Sequence, residues 1–173
     1  RQKRLKVMKD GATGAIGVIS ICLALLLKYL FIRDIFLLEA SYKYLVLLLL
    51  PVFPKWAMLI STYRRRSARE DGLGRIFIEN VRLYHVLFGT VITIIIAFAV
   101  FYVFYIFYST GLNWNLWRFS AFLVSQMASV GFTGLFLMKL FERSFGGVSG
   151  DNFGLVHEIS EIVFLAVAYI WKP

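Results

Sequence analysis

The chain has 173 residues, 60% of them hydrophobic and 17% aromatic, with mean hydropathy +0.74 and a formal charge of +9. This composition excludes a soluble globular domain and places the protein in a membrane. The basic residues lie between apolar runs, which excludes a nucleic-acid footprint, and the single cysteine, Cys22, excludes a disulfide framework or a cysteine metal cluster.

The expectation is therefore an all-α, polytopic membrane helix bundle, with about five transmembrane helices in one domain over residues 1–173. Residues 1–10 carry Arg1, Lys3, Arg4, Lys6 and Lys9, the pattern of an interfacial helix leading into the bilayer. The chain starts at Arg1 without an initiator methionine, so further sequence is expected upstream. Asp10, Gly14 and Gly17 share one helical face, offering an acid and two bare backbone patches. Helix capping with close helix packing would explain the same spacing. The first span is expected over residues 12–32, with Cys22 as a packing residue.

Arg33, Asp34, Glu39 and Lys43 mark a short polar connection, and the second span covers residues 44–62. Pro51 and Pro54 remove backbone donors there and kink the helix. Lys55 follows, deep enough in the span to be either an anion ligand or part of an internal ion pair. Tyr63 to Arg75 is the most charged segment, with Arg64, Arg65, Arg66, Arg69 and Arg75 around Gly72 and Gly74. Guanidinium groups match phosphate oxygens two at a time, and glycines let backbone N–H groups come near a phosphate. An ordinary positively charged loop on the inner side of the membrane is the alternative, favoured for Arg64 to Arg66.

The third span, residues 86–108, is uncharged and reads as lipid-facing, with His85 at its interfacial start. Asn113, Trp114 and Trp117 form an aromatic turn. The fourth span, residues 119–140, has Gly131 and Gly134 as expected helix contacts, and the fifth covers residues 153–169. Before the fifth lies Gly146-Gly147-Val148-Ser149-Gly150-Asp151, a glycine-rich turn that delivers an acid. On a helix Glu158 falls about 20° from Asp151, Gly154 about 60° and Glu161 about 80°. Three carboxylates and a gap share one face, where acids hold a cation or pair with arginines. Thirteen of the 19 Lys and Arg residues lie at residues 1–10, 63–85 and 139–152, so these three segments are expected to face the cytoplasm together. Carboxylates with arginines at one membrane face suit Mg²⁺-assisted phosphoryl or phosphodiester transfer.

Three stretches carry a resemblance: Met8-Lys9-Asp10-Gly11 with Gly14 and Gly17; Tyr63 through Gly74; and Gly146-Gly147 through Gly150-Asp151, Gly154, Glu158 and Glu161. In order and spacing they resemble the cobalamin synthase family, the adenosylcobinamide-GDP ribazoletransferases. That resemblance implies a bacterial or archaeal enzyme of the cytoplasmic (inner) membrane, acting on its cytoplasmic face at the last joining step of vitamin B12 assembly. A hydroxyl of α-ribazole, or of its phosphate, would attack the cobinamide-side phosphorus of adenosylcobinamide-GDP, and GMP would leave. Asp10, Asp151, Glu158 and Glu161 would hold or position Mg²⁺, with Asp10 and Asp151 as catalytic residues. Lys55, Arg64 and Arg69 would neutralise the diphosphate, with Gly72, Gly74, Gly147 and Gly150 close to it. Lys55 stands where the family tends to place arginine. The family's upstream acidic motif precedes the matched region, so these 173 residues alone are expected to have little or no activity. A small transporter, a CDP-alcohol phosphatidyltransferase-like enzyme and a non-catalytic subunit are the rival readings. Whether copies associate as a homo-oligomer stays open.

Overall fold

The computed structural model describes residues 14–38, 40–68, 73–107 and 114–173. Among them the secondary structure is helical: α1 (Ala15–Phe36), α2 (Ala40–Leu49), α3 (Val52–Thr62), α4 (Leu73–Asn80), α5 (Leu83–Phe107), α6 (Leu116–Phe145) and α7 (Gly150–Ile170). Five segments are long and apolar enough to cross a membrane: Ala15–Phe36, Ser41–Thr62, Leu83–Phe107, Leu116–Phe145 and Gly150–Ile170. The protein is therefore an integral membrane helix bundle, as its composition requires.

Pro51 divides the second span. It has no N–H for the helical ladder, so α2 ends at Leu49 and α3 restarts at Val52. Pro54 falls within the first turn of α3, where a backbone donor would lack a helical partner in any case. At the other end of the bundle α6 stops at Gly146, whose φ of 74° is the left-handed cap conformation that favours glycine. The start of α6 is capped by Asn115, whose side chain accepts from the Arg118 N–H at 2.8 Å.

The centre of the bundle is α3 held between α6 and α7. Gly131 and Gly134 make this possible. A Cβ on Gly134 would lie 3.0 Å from the Ala57 carbonyl oxygen, and one on Gly131 would lie 3.2 Å from the Trp56 ring. These are the helix contacts that the glycine spacing predicted. Phe53 stacks towards Phe164 with ring centroids 5.2 Å apart, and the core continues through Leu45, Val46, Leu49 and Leu165. Tyr42, Trp114, Phe122 and Trp171 close the end where α2 begins and α7 finishes. Trp114 is buried while Trp117 is 80% exposed, so only one of the two tryptophans of the expected aromatic turn faces outward.

α4 was not foreseen from the sequence. It is short and amphipathic, burying Ile78 with Met138, Phe141, Val148, Phe153 and Val156, and it caps the ends of α6 and α7. α5 exposes Leu87, Phe88, Val91, Ile95 and Tyr102, in keeping with its lipid-facing reading. α1 is also largely exposed, burying only Ile35 fully, and Cys22 lies on its exposed surface, contrary to the expected packing role.

Candidate functional site at the glycine turn and the acidic face of α7

The arginine segment and the glycine turn are stitched together by backbone. The Val148 N–H donates to the Arg66 carbonyl at 2.8 Å, and the Ala68 N–H donates to the Val148 carbonyl at 2.8 Å, an isolated parallel bridge between Ser67 and Val148. Glycine is needed for that approach. A Cβ on Gly147 would lie 2.6 Å from the Ala68 nitrogen, and one on Gly74 would lie 2.9 Å from the Gly150 nitrogen. Gly74 and Gly147 thus bring protein backbone to protein backbone. A Cβ on Gly150 would meet only Gly74 at 4.0 Å, and one on Gly154 would meet nothing within 4 Å.

Asp151 stands on the exposed first turn of α7, immediately after this junction. The turn is held by Ser149 and Asn152: the Ser149 N–H donates to Asn152 Oδ1 at 2.8 Å, and the Ser149 hydroxyl donates to the same oxygen at 2.9 Å. Arg64 is exposed at the end of α3 with φ 59°, a left-handed conformation that costs about 1–2 kcal/mol outside glycine. It turns the chain out of α3 towards the glycine turn. Arg65 is committed elsewhere, donating to Glu142 at 2.6 Å and to the Ser61 carbonyl at 3.2 Å.

Lys55 is not brought to this face. It lies two residues beyond Phe53, which packs on α7, and is therefore turned about 200° away. It lines a groove of about 360 Å³ between α3 and α5, with Trp56, Leu59, Gly89 and Thr93. Asp10, Arg69 and Gly72 lie outside the described residues.

Two turns further along α7, Glu158 and Glu161 face α1. The Lys28 ammonium donates to Glu158 Oε2 at 2.5 Å and to Glu161 Oε2. His157 Nδ1 lies 3.6 Å from the other Glu161 oxygen. The acidic face predicted from helical periodicity is thus real, but its deeper pair already holds a cation from this chain. The sequence reading did not single out Lys28. Its signal was a lysine inside a 22-residue apolar helix, a position that calls for a partner. As arranged, Glu158 and Glu161 do not fit Mg²⁺, because a hard divalent ion sharing their oxygens would stand against the ammonium. The exposed carboxylate of Asp151 has the donor chemistry that Mg²⁺ prefers.

Fold and site define a polytopic membrane protein with one end built around a glycine turn, an arginine segment and an acid. The family model described as cobalamin-5-phosphate synthase matches residues 1–169, and the chain belongs to that family. Among similar proteins are adenosylcobinamide-GDP ribazoletransferases from three bacteria. That of Thermodesulfovibrio yellowstonii is 29% identical over 95% of this chain and 56% of its own length. Those of Syntrophobacter fumaroxidans and Geotalea daltonii are each 33% identical, over 96% and 95% of this chain and 59% and 58% of their own lengths. The chain thus spans less than two thirds of these relatives. No solved structure matches it.

Proposed function

We propose that the protein takes part in joining adenosylcobinamide-GDP to α-ribazole, or to α-ribazole phosphate, in vitamin B12 biosynthesis. An α-ribazole hydroxyl gives up its proton to solvent and forms a bond to the cobinamide-side phosphorus, the bond from that phosphorus to the bridging oxygen breaks, and GMP leaves with that oxygen. Family membership supports this reading, together with one observation: the backbone bridge that holds the Arg64–Ala68 segment against the turn leading to Asp151. Phosphoryl-type transfer draws most of its acceleration from positioning and charge neutralisation, and a basic segment fixed beside an acid serves both.

In this reading Arg64 and Arg69 neutralise the diphosphate, while Gly72 and Gly150 admit it to the backbone. Asp10 and Asp151 hold Mg²⁺, which when bound would offset charge on the diphosphate. Lys55 serves an anion in its own groove, away from α7. The glycine-turn end faces the cytoplasm of a bacterial or archaeal cell, in its cytoplasmic membrane.

The test is Asp151→Asn in the full chain, assayed in native membranes for GMP release from adenosylcobinamide-GDP with α-ribazole. Loss of Mg²⁺-dependent release, with the protein still in the membrane, is the expected result. Release at the unmodified rate would remove Asp151 from the reaction.

A further inference from the structure

Lys28 lies in the middle of α1, where the flanking residues are apolar and α1 buries only Ile35 fully. Its side chain is only 15% exposed, and its ammonium reaches across to both Glu158 and Glu161 of α7. Ligating atoms of His157, Glu158 and Glu161 all lie within 4.8 Å of one another, a grouping that by distance alone would suit a metal ion. The ammonium alters that reading. It takes one oxygen from each carboxylate and supplies positive charge at the point where a divalent ion would have to sit. His157 occupies the side of Glu161's second oxygen. Charge at this depth is therefore offset in part inside the chain, between its first and last spans. Phe31 and Tyr169, with ring centroids 6.0 Å apart, continue the same α1–α7 seam beyond the ion pairs.

We propose that Lys28 is the built-in cation of the α7 acidic stripe. Its ammonium holds Glu158 and Glu161 together against α1 and keeps divalent ions out of that pair. Lys28 is a positioning residue: it acts by fixing which carboxylates a metal can reach. The proposal rests on the ion-pair geometry and is independent of the reaction assigned above.

Mn²⁺ titration of the full chain in detergent micelles, followed by electron paramagnetic resonance, tests it without any turnover. Lys28→Met and Lys28→Gln should each bind one more Mn²⁺ per chain than the unmodified protein, while Lys28→Arg, which keeps the charge, should not. Adding Glu158→Gln and Glu161→Gln to Lys28→Met should remove the gained ion. In the otherwise unmodified protein, Glu158→Gln or Glu161→Gln should change Mn²⁺ affinity by less than about twofold, whereas loss even of a residue that only orients a metal ligand typically weakens binding by about tenfold or more. Such a weakening, or the absence of a gained ion in both neutral Lys28 variants, would overturn the proposal. Should the unmodified protein bind no Mn²⁺, a gained ion in the Lys28 variants still supports it, and only the Mg²⁺ role at Asp151 falls.

Discussion

Gly147 and Gly154 stand on either side of Asp151, and the lack of a side chain serves different ends at each. At Gly147 the reason is steric: a Cβ would lie 2.6 to 2.8 Å from Ser67 and Ala68 backbone atoms, which cannot rotate away. Gly147→Ala should therefore destabilise the protein by about 1–3 kcal/mol, read as a lower Tm in detergent micelles. At Gly154 nothing lies within 4 Å, and the glycine only weakens its helix. Gly154→Ala should raise stability by about 0.5–1 kcal/mol. If the gap at Gly154 admits substrate, the same variant should lower GMP release despite its higher Tm. A rise in Tm with unchanged release would leave the gap without a function. The sequence marked both residues as places where backbone is bare. It could not say that at Gly147 the neighbour is Ala68, because that contact joins segments far apart in the chain.

At the scale of elements, the bundle depends on how closely α3 approaches α6. Hydrophobic burial gives little preference between protein and lipid for an apolar helix face, so packing of small residues carries the association. The surface of Gly134 sits against the Ala57 carbonyl, with 3.0 Å left for a Cβ. Gly134→Val should separate the two helices and cost about 1–3 kcal/mol, whereas Gly134→Ala should cost less. Chemical denaturation in micelles measures both, and equal stability of the Val variant and the unmodified protein would refute the close crossing. Gly131 and Gly134 were legible as contact points because they share a helical face in an apolar run. α4 was not legible. Its one turn of apolar residues, Ile76 to Ile78, is bracketed by Arg75 and Glu79, an exposed i,i+4 ion pair at 2.7 Å, and in sequence it reads as the continuation of a charged loop. Only its burial of Ile78 against Met138 and Val156 makes it an element.

For the molecule as a whole, the spans place Arg64 and the glycine turn at one end, and Trp114, Trp171 and Lys172 at the other. If the distribution of basic residues sets the orientation, the first end faces the cytoplasm. A single cysteine at Arg64, introduced into a Cys22→Ala background, should be blocked from an impermeant maleimide in intact cells. One at Lys172 should react. Both positions are exposed, so labelling reports side and not burial. The reverse pattern would turn the arginine segment and Asp151 away from the cytoplasm and would sink the proposed orientation of the site.

Composition and periodicity by themselves determined that this chain crosses a membrane as helices, where the spans fall, that Pro51 breaks one of them, and that Asp151, Glu158 and Glu161 line one face. Those properties are local: they follow from apolar run length, from a missing backbone donor and from 100° per residue. What each charged group meets was decided by tertiary structure. Lys28 and Glu161 lie at opposite ends of the sequence and become partners only because α1 packs on α7. Lys55 shares a helix with Phe53, yet the rotation between them turns it away from α7. Pairing energies act through space over a few ångströms, so no reading along the chain can assign them before the helices have found their neighbours.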